Sequence, residues 1–350
     1  MRLFIYADPH WSSYSSILRS RGIKYSTRLE NLIKTLNWIE AEAMSRNCDV
    51  IVCLGDFFDK SELNSEEITA LQEIMWADIP HWFIVGNHEM GRSTLEHSSS
   101  HLFDLLPNAS VINEVSLFNT DDTTLVSIPY ILENNRKPLK EYLAPYEMRE
   151  NVIVLSHNDI AGIQMGKFLS TAGFSIEEIE ENCKLFINGH LHNGADIGNK
   201  IINLGNITGQ NFSEDASTYD HNALLLDTTT KSIEKIKNPY ALNFYKINLT
   251  NLQPTIDDAL INKILDSLEF PAVATIKVNS DNAFLVNDLV SSANNIIECR
   301  CIVERVGNTE EVVVSNDNTS LDHLLKFQQF VLENIGTSDL IKNELERVSK

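Results

Sequence analysis

Aspartate, histidine and asparagine residues recur directly after short apolar runs in the first 200 residues of the chain. They form five blocks: DPH at 8–10, GDFFD at 55–59, GNHE at 86–89, SH at 156–157 and GHLH at 189–192. Oxygen and imidazole donors of this mix suit Mn²⁺, Fe²⁺ or Zn²⁺, and the absence of thiolates among them disfavours a purely structural zinc site. The pattern therefore predicts a catalytic metal centre.

The number of donors favours two metal ions over one. The predicted ligands are Asp8, His10, Asp56, Asn87, His157, His190 and His192. If Asp56 bridges, each ion keeps three further ligands and open positions for water and substrate. Two divalent ions about 3.5–4 Å apart activate water and clamp the attacking and leaving oxygens of a phosphate ester. The donors leave Mn²⁺, Mg²⁺, Fe²⁺ and Zn²⁺ open as the bound ions, and we expect Gly55, Gly86 and Gly189 to let the backbone turn sharply beside them.

The elements that must position these residues are short buried strands. Apolar runs of this kind occupy 2–8, 49–56, 81–87, 151–157 and 184–190. The carboxyl ends of strands in an open α/β sheet meet in one crevice, so these runs would bring the five blocks together. Helical spacing predicts helices over 26–46 and 64–77, the second capped by Asn64. We predict a layered α/β fold, with a two-sheet β-sandwich core flanked by helices.

A change of texture near residues 238–255 predicts a domain boundary. We expect a catalytic domain at 1–245 and a small βαβ cap at 255–310, built from a strand over 272–278, a helix over 283–295 and a strand over 296–306. C-terminal helices are predicted at 319–350. Their apolar residues exceed what one buried stripe needs, so this segment either binds a partner or packs against its own neighbours.

Composition sets limits on the function. The chain has 350 residues, a formal net charge of −21, 43% hydrophobic and 22% charged residues, and five cysteines without disulfide or zinc spacing. This balance excludes long disorder, and no apolar run approaches the roughly 20 residues of a membrane span. We expect a cytoplasmic protein without a signal peptide or a membrane partner. The acidity argues against a uniformly basic surface for nucleic acid, although two bound dications would make the site itself locally positive.

The five blocks resemble, in order, the calcineurin-like metallophosphoesterase pattern DxH, GDxxD, GNH(D/E), a lone H and GHxH. This resemblance implies one metal held by Asp8, His10, Asp56 and His192, and another held by Asp56, Asn87, His157 and His190. It also implies two residues that assist catalysis. His88 would stabilise the transition state or protonate the leaving oxygen, and the carboxylate of Asp59 would orient His88.

Within that superfamily the chain is similar to the Mre11/SbcD nucleases, especially their shorter bacteriophage versions. The similarity rests on the N-terminal DPH, the form GDFFD, the segment HNDIAG after the lone histidine, and the small cap that follows. It implies a Mn²⁺-dependent DNA exonuclease and endonuclease of a bacterial or phage-infected cell, which pairs with a Rad50/SbcC-type ATPase near its C-terminal helices. Whether the chain forms a homodimer stays open at the level of sequence. Glu89 stands where many of these nucleases have Asp, and we expect it to be a structural hydrogen-bonding residue.

The most basic segment of the chain follows the first metal block. Residues 11–28 contain no acidic residue, and the predicted substrate-binding side chains among them are Trp11, Tyr14, Arg19, Arg21 and Lys24. Aromatic rings and cations beside a phosphate-cleaving centre suit base stacking and phosphate contact. A solvated loop that leads into a helix is the competing interpretation.

Two other functions stay open at the level of sequence. One is a phosphatase or nucleotide phosphodiesterase on the same core, which would not need the last hundred residues. The other is a non-catalytic scaffold that uses the core only to bind a partner.

Overall fold

The computed structural model describes residues 1–14, 22–120, 123–144, 151–165, 168–212, 214–250, 258–279, 283–305 and 308–314. The chain divides into two compact units, Met1–Tyr245 and Lys246–Lys350. The helices predicted at 319–350 lie outside the described residues. Among the helices that are described, none has the length and apolar character needed to cross a bilayer.

One six-stranded sheet of the first unit contains the strands that precede the first three sequence blocks. Its strands are β1 (Arg2–Tyr6), β2 (Val50–Cys53), β3 (His81–Ile84), β6 (Ala109–Ile112), β17 (Asn222–Asp227) and β18 (Ser232–Lys237), in the order β18-β17-β1-β2-β3-β6. Strands β1, β2, β3 and β6 are parallel, and β17 and β18 add an antiparallel edge. The parallel strands therefore end at the same edge of the sheet.

The second six-stranded sheet contains the strands that precede the last two blocks. It is built from β7 (Ser116–Asn119), β8 (Thr124–Ile128), β9 (Val152–Ser156), β14 (Leu185–Asn188), β15 (Ala195–Ile197) and β16 (Ile201–Asn203), in the order β15-β16-β14-β9-β8-β7. Strands β8, β9, β14 and β16 are parallel. Strand β9 carries five consecutive buried residues, as expected of a central strand covered on both faces.

The inner faces of the two sheets share one hydrophobic core. Leu3, Ile5 and Val52 of the first sheet pack in the same buried cluster as Leu155 and Ile187 of the second. Helices cover both outer faces, each over a separate buried cluster. In the described part of this unit the helices are α1 (Thr27–Ser45), α2 (Ser65–Ala70), α3 (Leu139–Leu143) and α4 (Ile176–Asn182), with 3₁₀ turns at Leu71–Glu73, Ser99–Leu105 and Glu133–Asn135. The predicted layered α/β sandwich is confirmed.

The second helix is shorter than the sequence predicts. Asn64 caps it and forms a reciprocal capping box with Glu67, but the α-helix ends at Ala70 and tightens to 3₁₀. The reason lies on α1, where Asn37 accepts the backbone N–H of Met75 and Glu40 accepts that of Ala77. Those donors are captured by side chains of α1, so they are not available to continue the helix.

Short strand pairs complete the first unit. They are β4 (Met90–Gly91) with β5 (Thr94–Ser98), β10 (Ile160–Ala161) with β13 (Phe174–Ser175), and β11 (Gln164–Met165) with β12 (Phe168–Leu169). The first pair directly follows the GNHE block.

A four-stranded sheet of order β19-β20-β21-β22 begins at the boundary between the units and continues through the second one. Its elements are β19 (Asn243–Asn248), α5 (Asp258–Asp266), β20 (Ala272–Asn279), α6 (Ala283–Ser292), β21 (Ile296–Arg305) and β22 (Asn308–Val314). Strands β20 and β21 are parallel with α6 between them in sequence, as the predicted βαβ unit requires. Strand β22 is not predicted by the sequence; its residues Val312–Val314 pair antiparallel with Cys299–Cys301.

Candidate metal centre

The loops after β1, β2 and β3 lie together at the carboxyl edge of the first sheet. Backbone hydrogen bonds join the first two loops, from Asp8 N to the carbonyl of Gly55 (3.2 Å) and from His10 N to that of Asp56 (3.0 Å). The backbone N–H of His88 donates to Asp56 Oδ1 at 2.9 Å, which joins the third loop. The sequence blocks DPH, GDFFD and GNHE are thus held as one rigid group.

The second sheet adds its ligands to the same place. His157, directly after β9, brings its Nε2 to 3.2 Å from Asp56 Oδ2. The backbone N–H of His190 lies 3.0 Å from both carboxylate oxygens of Asp8. Loops from two different sheets therefore meet through Asp8 and Asp56, both of which are buried.

The donor atoms form two overlapping groups. His10, Asp56 and His88 each offer one ligand atom within 4.8 Å of the others, and Asp56, His157 and His190 do the same. Asn87 Oδ1 lies 3.2 Å from His157 Nε2 and 2.9 Å from His190 Nδ1, so it belongs beside the second group. Asp56 is common to both groups, which is the geometry of a bridging carboxylate.

His192 lies beside His10, a member of the first donor group. Their Nε2 atoms face each other at 3.1 Å. The other ring nitrogen of His10 lies 3.1 Å from Asp59 Oδ1. A carboxylate accepts a hydrogen bond from that Nδ1–H, which leaves Nε2 of His10 with a lone pair. Imidazole, carboxylate and amide donors that converge in this way fit divalent cations. The structure brings the seven predicted ligands to one place, with Asp8 in contact with His190 and His157.

Four of these ligands have left-handed backbone conformations. The φ angles are 50° at Asp8, 47° at His10, 47° at Asp56 and 73° at His190. Residues with a side chain adopt this region rarely, and such strain concentrates at functional sites. No spacing rule predicts it, because it depends on how tightly each chain segment turns at the end of its strand.

The three glycines of the blocks have two different roles. Gly55 has φ +101°, so the prediction of a sharp turn holds there. At Gly86 a Cβ would lie 2.1 Å from Asp56 Oδ1, and at Gly189 it would lie 2.8 Å from the carbonyl oxygen of Leu54. These two positions need glycine for close approach.

Burial and neighbouring charges set opposite pKa shifts at the two buried carboxylates, Asp8 and Asp56. Burial raises the pKa of Asp8 to about 7. Burial acts in the same direction on Asp56, but the imidazoles of His157, His10 and His88 outweigh it and lower the pKa of Asp56 well below its usual range. Burial disfavours the charged form of His157, yet Asp56 and Asp8 raise its pKa to about 9. Burial lowers the pKa of His10, and it lowers the pKa of His192 to about 3, so these two are neutral ligands at pH 7.

Comparison with known families agrees with this site. The family described as calcineurin-like phosphoesterase matches residues 1–194, more than half of the chain and all five ligand blocks. The chain belongs to this family. Calcineurin-like phosphoesterases use divalent metal ions, and the two donor groups provide places for them. The protein is accordingly a metal-dependent phosphoesterase.

Solved structures resemble the chain at low identity. TT1561 of Thermus thermophilus is 10% identical, and the match covers 67% of this chain and 98% of that one with a TM-score of 0.40. A purple acid phosphatase of yellow lupin is 11% identical over 67% of this chain and 52% of its own, with a TM-score of 0.41. A dimetal phosphatase of Danio rerio is 12% identical over 68% and 99%, with a TM-score of 0.35. Among curated protein sequences, no match was found.

Asp59 contacts both His88 and His10. His88 Nδ1 lies 3.0 Å from the backbone carbonyl of Asp59 and 3.7 Å from its carboxylate, and that carboxylate lies 3.1 Å from His10 Nδ1. The orientation of His88 by the Asp59 carboxylate stays a prediction. The shorter contact of His88 is with the main chain of Asp59, and the side chain of Asp59 is closest to the predicted metal ligand His10, as a partner that fixes a histidine ligand would be. The ring of His88 packs edge-on against His10 with centroids 4.5 Å apart.

Glu89 has the structural role that its position predicts. Its buried carboxylate accepts the backbone N–H groups of Phe58 (3.2 Å) and Gly86 (2.6 Å). It thereby joins the GDFFD loop to the GNHE loop. Burial and the charge of Asp56 raise the pKa of Glu89 to about 7.

Of the predicted substrate-binding residues that the structure describes, Trp11 is buried, whereas Tyr14 and Lys24 are at the surface. Trp11 is fully buried against Phe57, and its indole N–H donates to the carbonyl of Glu67. Trp11 is therefore a core residue with no face open to a nucleotide, because burying so large a ring stabilises the fold. Tyr14 is exposed, whereas Lys24 is paired with Glu73, which offsets its charge. Arg19 and Arg21 lie outside the described residues.

Two residues near the site have no role in the five-block pattern, although Arg28 ends the basic segment 11–28 and Asp159 belongs to HNDIAG. Arg28 of α1 is buried and donates to the carbonyl of Pro9, between two metal ligands. The carboxylate of Asp159 lies 3.1 Å from Nε2 of His190. Both are single charged residues outside the blocks, and only the fold brings them to the ligands.

Proposed function

We propose that this metal-dependent phosphoesterase is a DNA nuclease. It would hydrolyse phosphodiester bonds as a Mn²⁺-dependent exonuclease and endonuclease in DNA recombination, repair or replication. We further propose that it is the nuclease subunit of a complex with a Rad50/SbcC-like ATPase, which would bind the segment 319–350, and that it forms a homodimer.

The observation that carries the proposal is the position of His88 beside the shared carboxylate of Asp56. Two divalent cations, when bound, would polarise the phosphate and lower the pKa of the attacking water. His88 belongs to one donor group but has a side chain 40% exposed, unlike the buried His10 and Asp56. Its Nδ1 lies 3.0 Å from the Asp59 carbonyl, so Nε2 is the ring nitrogen that would meet a substrate.

The chemistry of a phosphodiester makes use of such a residue. The leaving group is a sugar alkoxide, which is a poor leaving group until it is protonated. An imidazole fixed at one nitrogen can stabilise charge or donate a proton from the other. The supporting features for DNA over other esters are the form of the GDFFD and HNDIAG blocks and the small βαβ unit after the phosphoesterase domain.

The test is cleavage of end-labelled duplex DNA with Mn²⁺, beside an aryl phosphate monoester, for the wild type and His88→Ala. We expect the wild type to cleave DNA, and His88→Ala to lose at least a hundredfold in rate while it retains its metal content. His97→Ala is the matched control, because His97 is an exposed histidine outside the blocks. Full activity of His88→Ala with normal metal content would remove the assigned role of His88.

The two alternatives give different results in the same experiment. A phosphatase would hydrolyse the aryl ester and leave DNA intact. A scaffold would hydrolyse neither substrate with Mn²⁺ supplied, whether or not the ATPase is present. Either result would overturn the proposed nuclease.

A further inference from the structure

The carboxylate of Asp159 bonds His190, a predicted metal ligand, at the ring nitrogen that points away from the donor group. His190 Nε2 lies 3.1 Å from Asp159 Oδ1, while His190 Nδ1 faces Asn87 Oδ1 at 2.9 Å. An ionised carboxylate and an amide oxygen both only accept hydrogen bonds, so a cation bound in this donor group would displace a proton from Nδ1, and the single ring proton would belong on Nε2. Nδ1 is then left with its lone pair pointing into the donor group formed by Asp56, Asn87 and His157.

Two other ligand histidines are arranged in the same way. His10 Nδ1 lies 3.1 Å from the carboxylate of Asp59, and His157 Nδ1 lies 2.6 Å from the carbonyl oxygen of Leu54. In each case an oxygen holds the outer nitrogen and the inner nitrogen faces the site. Such partners fix the protonated nitrogen and the ring orientation of metal-binding histidines.

The backbone around Asp159 is built to hold it in place. Its carbonyl accepts the N–H of Phe174 at 3.1 Å. The neighbouring Gly173 has φ +99°, and a Cβ there would lie 1.9 Å from that same carbonyl oxygen. Gly173 in turn donates its N–H to Glu133 at 3.2 Å. The position of Asp159 therefore depends on a close backbone approach that only glycine permits.

We propose that Asp159 is a positioning residue that makes Nδ1 of His190 the ligand atom for one of the two metal ions. The inference rests on the two-metal part of the proposed function but not on DNA as the substrate. Asp159 lies two residues after the lone histidine, in a position that the five-block pattern does not assign.

The first test is Mn²⁺ binding by calorimetry and by electron paramagnetic resonance of the bound ions. We expect two ions in the wild type, and for Asp159→Ala a roughly 10–100-fold weaker affinity for one ion only. Asp159→Asn should recover most of the loss, because its amide oxygen can still accept from Nε2. Asp104→Asn is the matched control, since Asp104 bonds His101 (2.9 Å) in the same way outside the donor groups.

The second test does not require a variant of Asp159 to fold. In protein labelled with ¹⁵N-histidine and loaded with diamagnetic Zn²⁺, the His190 signals, assigned with His190→Gln, should show the proton on Nε2. A wild-type proton on Nδ1 would overturn the proposal. Asp159→Ala with two ions bound at wild-type affinity, or with both ions weakened equally, would also overturn it. Failure to cleave DNA while two Mn²⁺ ions are bound would refute the nuclease and leave the role of Asp159 intact.

Discussion

Replacement of Arg28 should destabilise the first unit and loosen one side of the metal centre. The guanidinium is buried and donates to the carbonyls of Pro9 (2.8 Å) and Gly209 (2.9 Å). Burial lowers the pKa of Arg28 to about 10, which leaves the group charged at neutral pH. Arg28 thus joins α1 and the segment at Gly209 to the turn between Asp8 and His10.

The magnitude follows from the two hydrogen bonds. A hydrogen bond to a charged group contributes about 1.5–3 kcal/mol, and Arg28→Met would leave two buried carbonyls without this donor. Methionine recovers part of the loss by filling the space of the side chain. We therefore expect the free energy of unfolding to fall by about 3–5 kcal/mol, or the melting temperature by about 10 °C for a unit of this size. Arg28→Lys should lose less, because an ammonium can still donate to one carbonyl.

The assay is urea unfolding followed by tryptophan fluorescence. The four tryptophans are Trp11, Trp38, Trp76 and Trp82, so the signal comes from the first unit alone. Arg46→Met is the control, because Arg46 pairs with Glu42 and Glu234 at the surface and should contribute less than about 1 kcal/mol. If Arg28→Met and Arg46→Met were both within about 1 kcal/mol of the wild type, the assigned role of Arg28 would be refuted.

Two further substitutions test separate parts of the first unit. In Gly86→Ala the new Cβ would lie 2.1 Å from Asp56 Oδ1, so we expect the shared carboxylate to be displaced. The bound Mn²⁺, measured by elemental analysis, should fall below two ions per chain. Two tightly bound ions would contradict this. His221 is buried, and burial lowers its pKa from 6.5 to about 4, so the folded protein resists its protonation. Its stabilising contribution is complete above pH 6.5 and is lost as the pH falls through 4. The difference in unfolding free energy between the wild type and His221→Gln should therefore shift against the wild type by about 3 kcal/mol from pH 7 to pH 4, and a shift of the opposite sign would refute the assignment.

The strand ends were predictable from sequence because each is marked by an apolar run followed directly by a polar block. Apolar runs such as 49–56 and 151–157 can be buried on both faces only in the middle of a sheet, and the polar block that follows each must then lie at its end. This is why the ligands Asp56 and His157, which lie in different sheets, could be named from their types alone. The fold brings them to 3.2 Å.

Side-chain partners beyond the blocks were not predictable in the same way. Trp11 directly follows a ligand block, and the sequence cannot tell a stacking surface from a core position for an aromatic residue. Its backbone forms an isolated bridge with Phe58, which directs the ring into the core. Asp59 illustrates the same difficulty, because the direction of its carboxylate depends on the turn that begins at the left-handed Asp56. Loop direction is a tertiary property, whereas strand position is a local one.

The strained ligands indicate how the site and the fold depend on each other. Each left-handed residue with a side chain costs about 1–2 kcal/mol, and Asp8, His10, Asp56 and His190 all adopt this conformation. The cost is offset by hydrogen bonds that only the assembled loops can make, from Asp8 N to Gly55, from His10 N to Asp56 and from His190 N to the Asp8 carboxylate. Since the last of these joins ligands from two sheets, the site can form only after both sheets have packed. Cations that bind these ligands would then stabilise the folded chain by mass action, so metal binding and sandwich assembly are coupled through the same few loops.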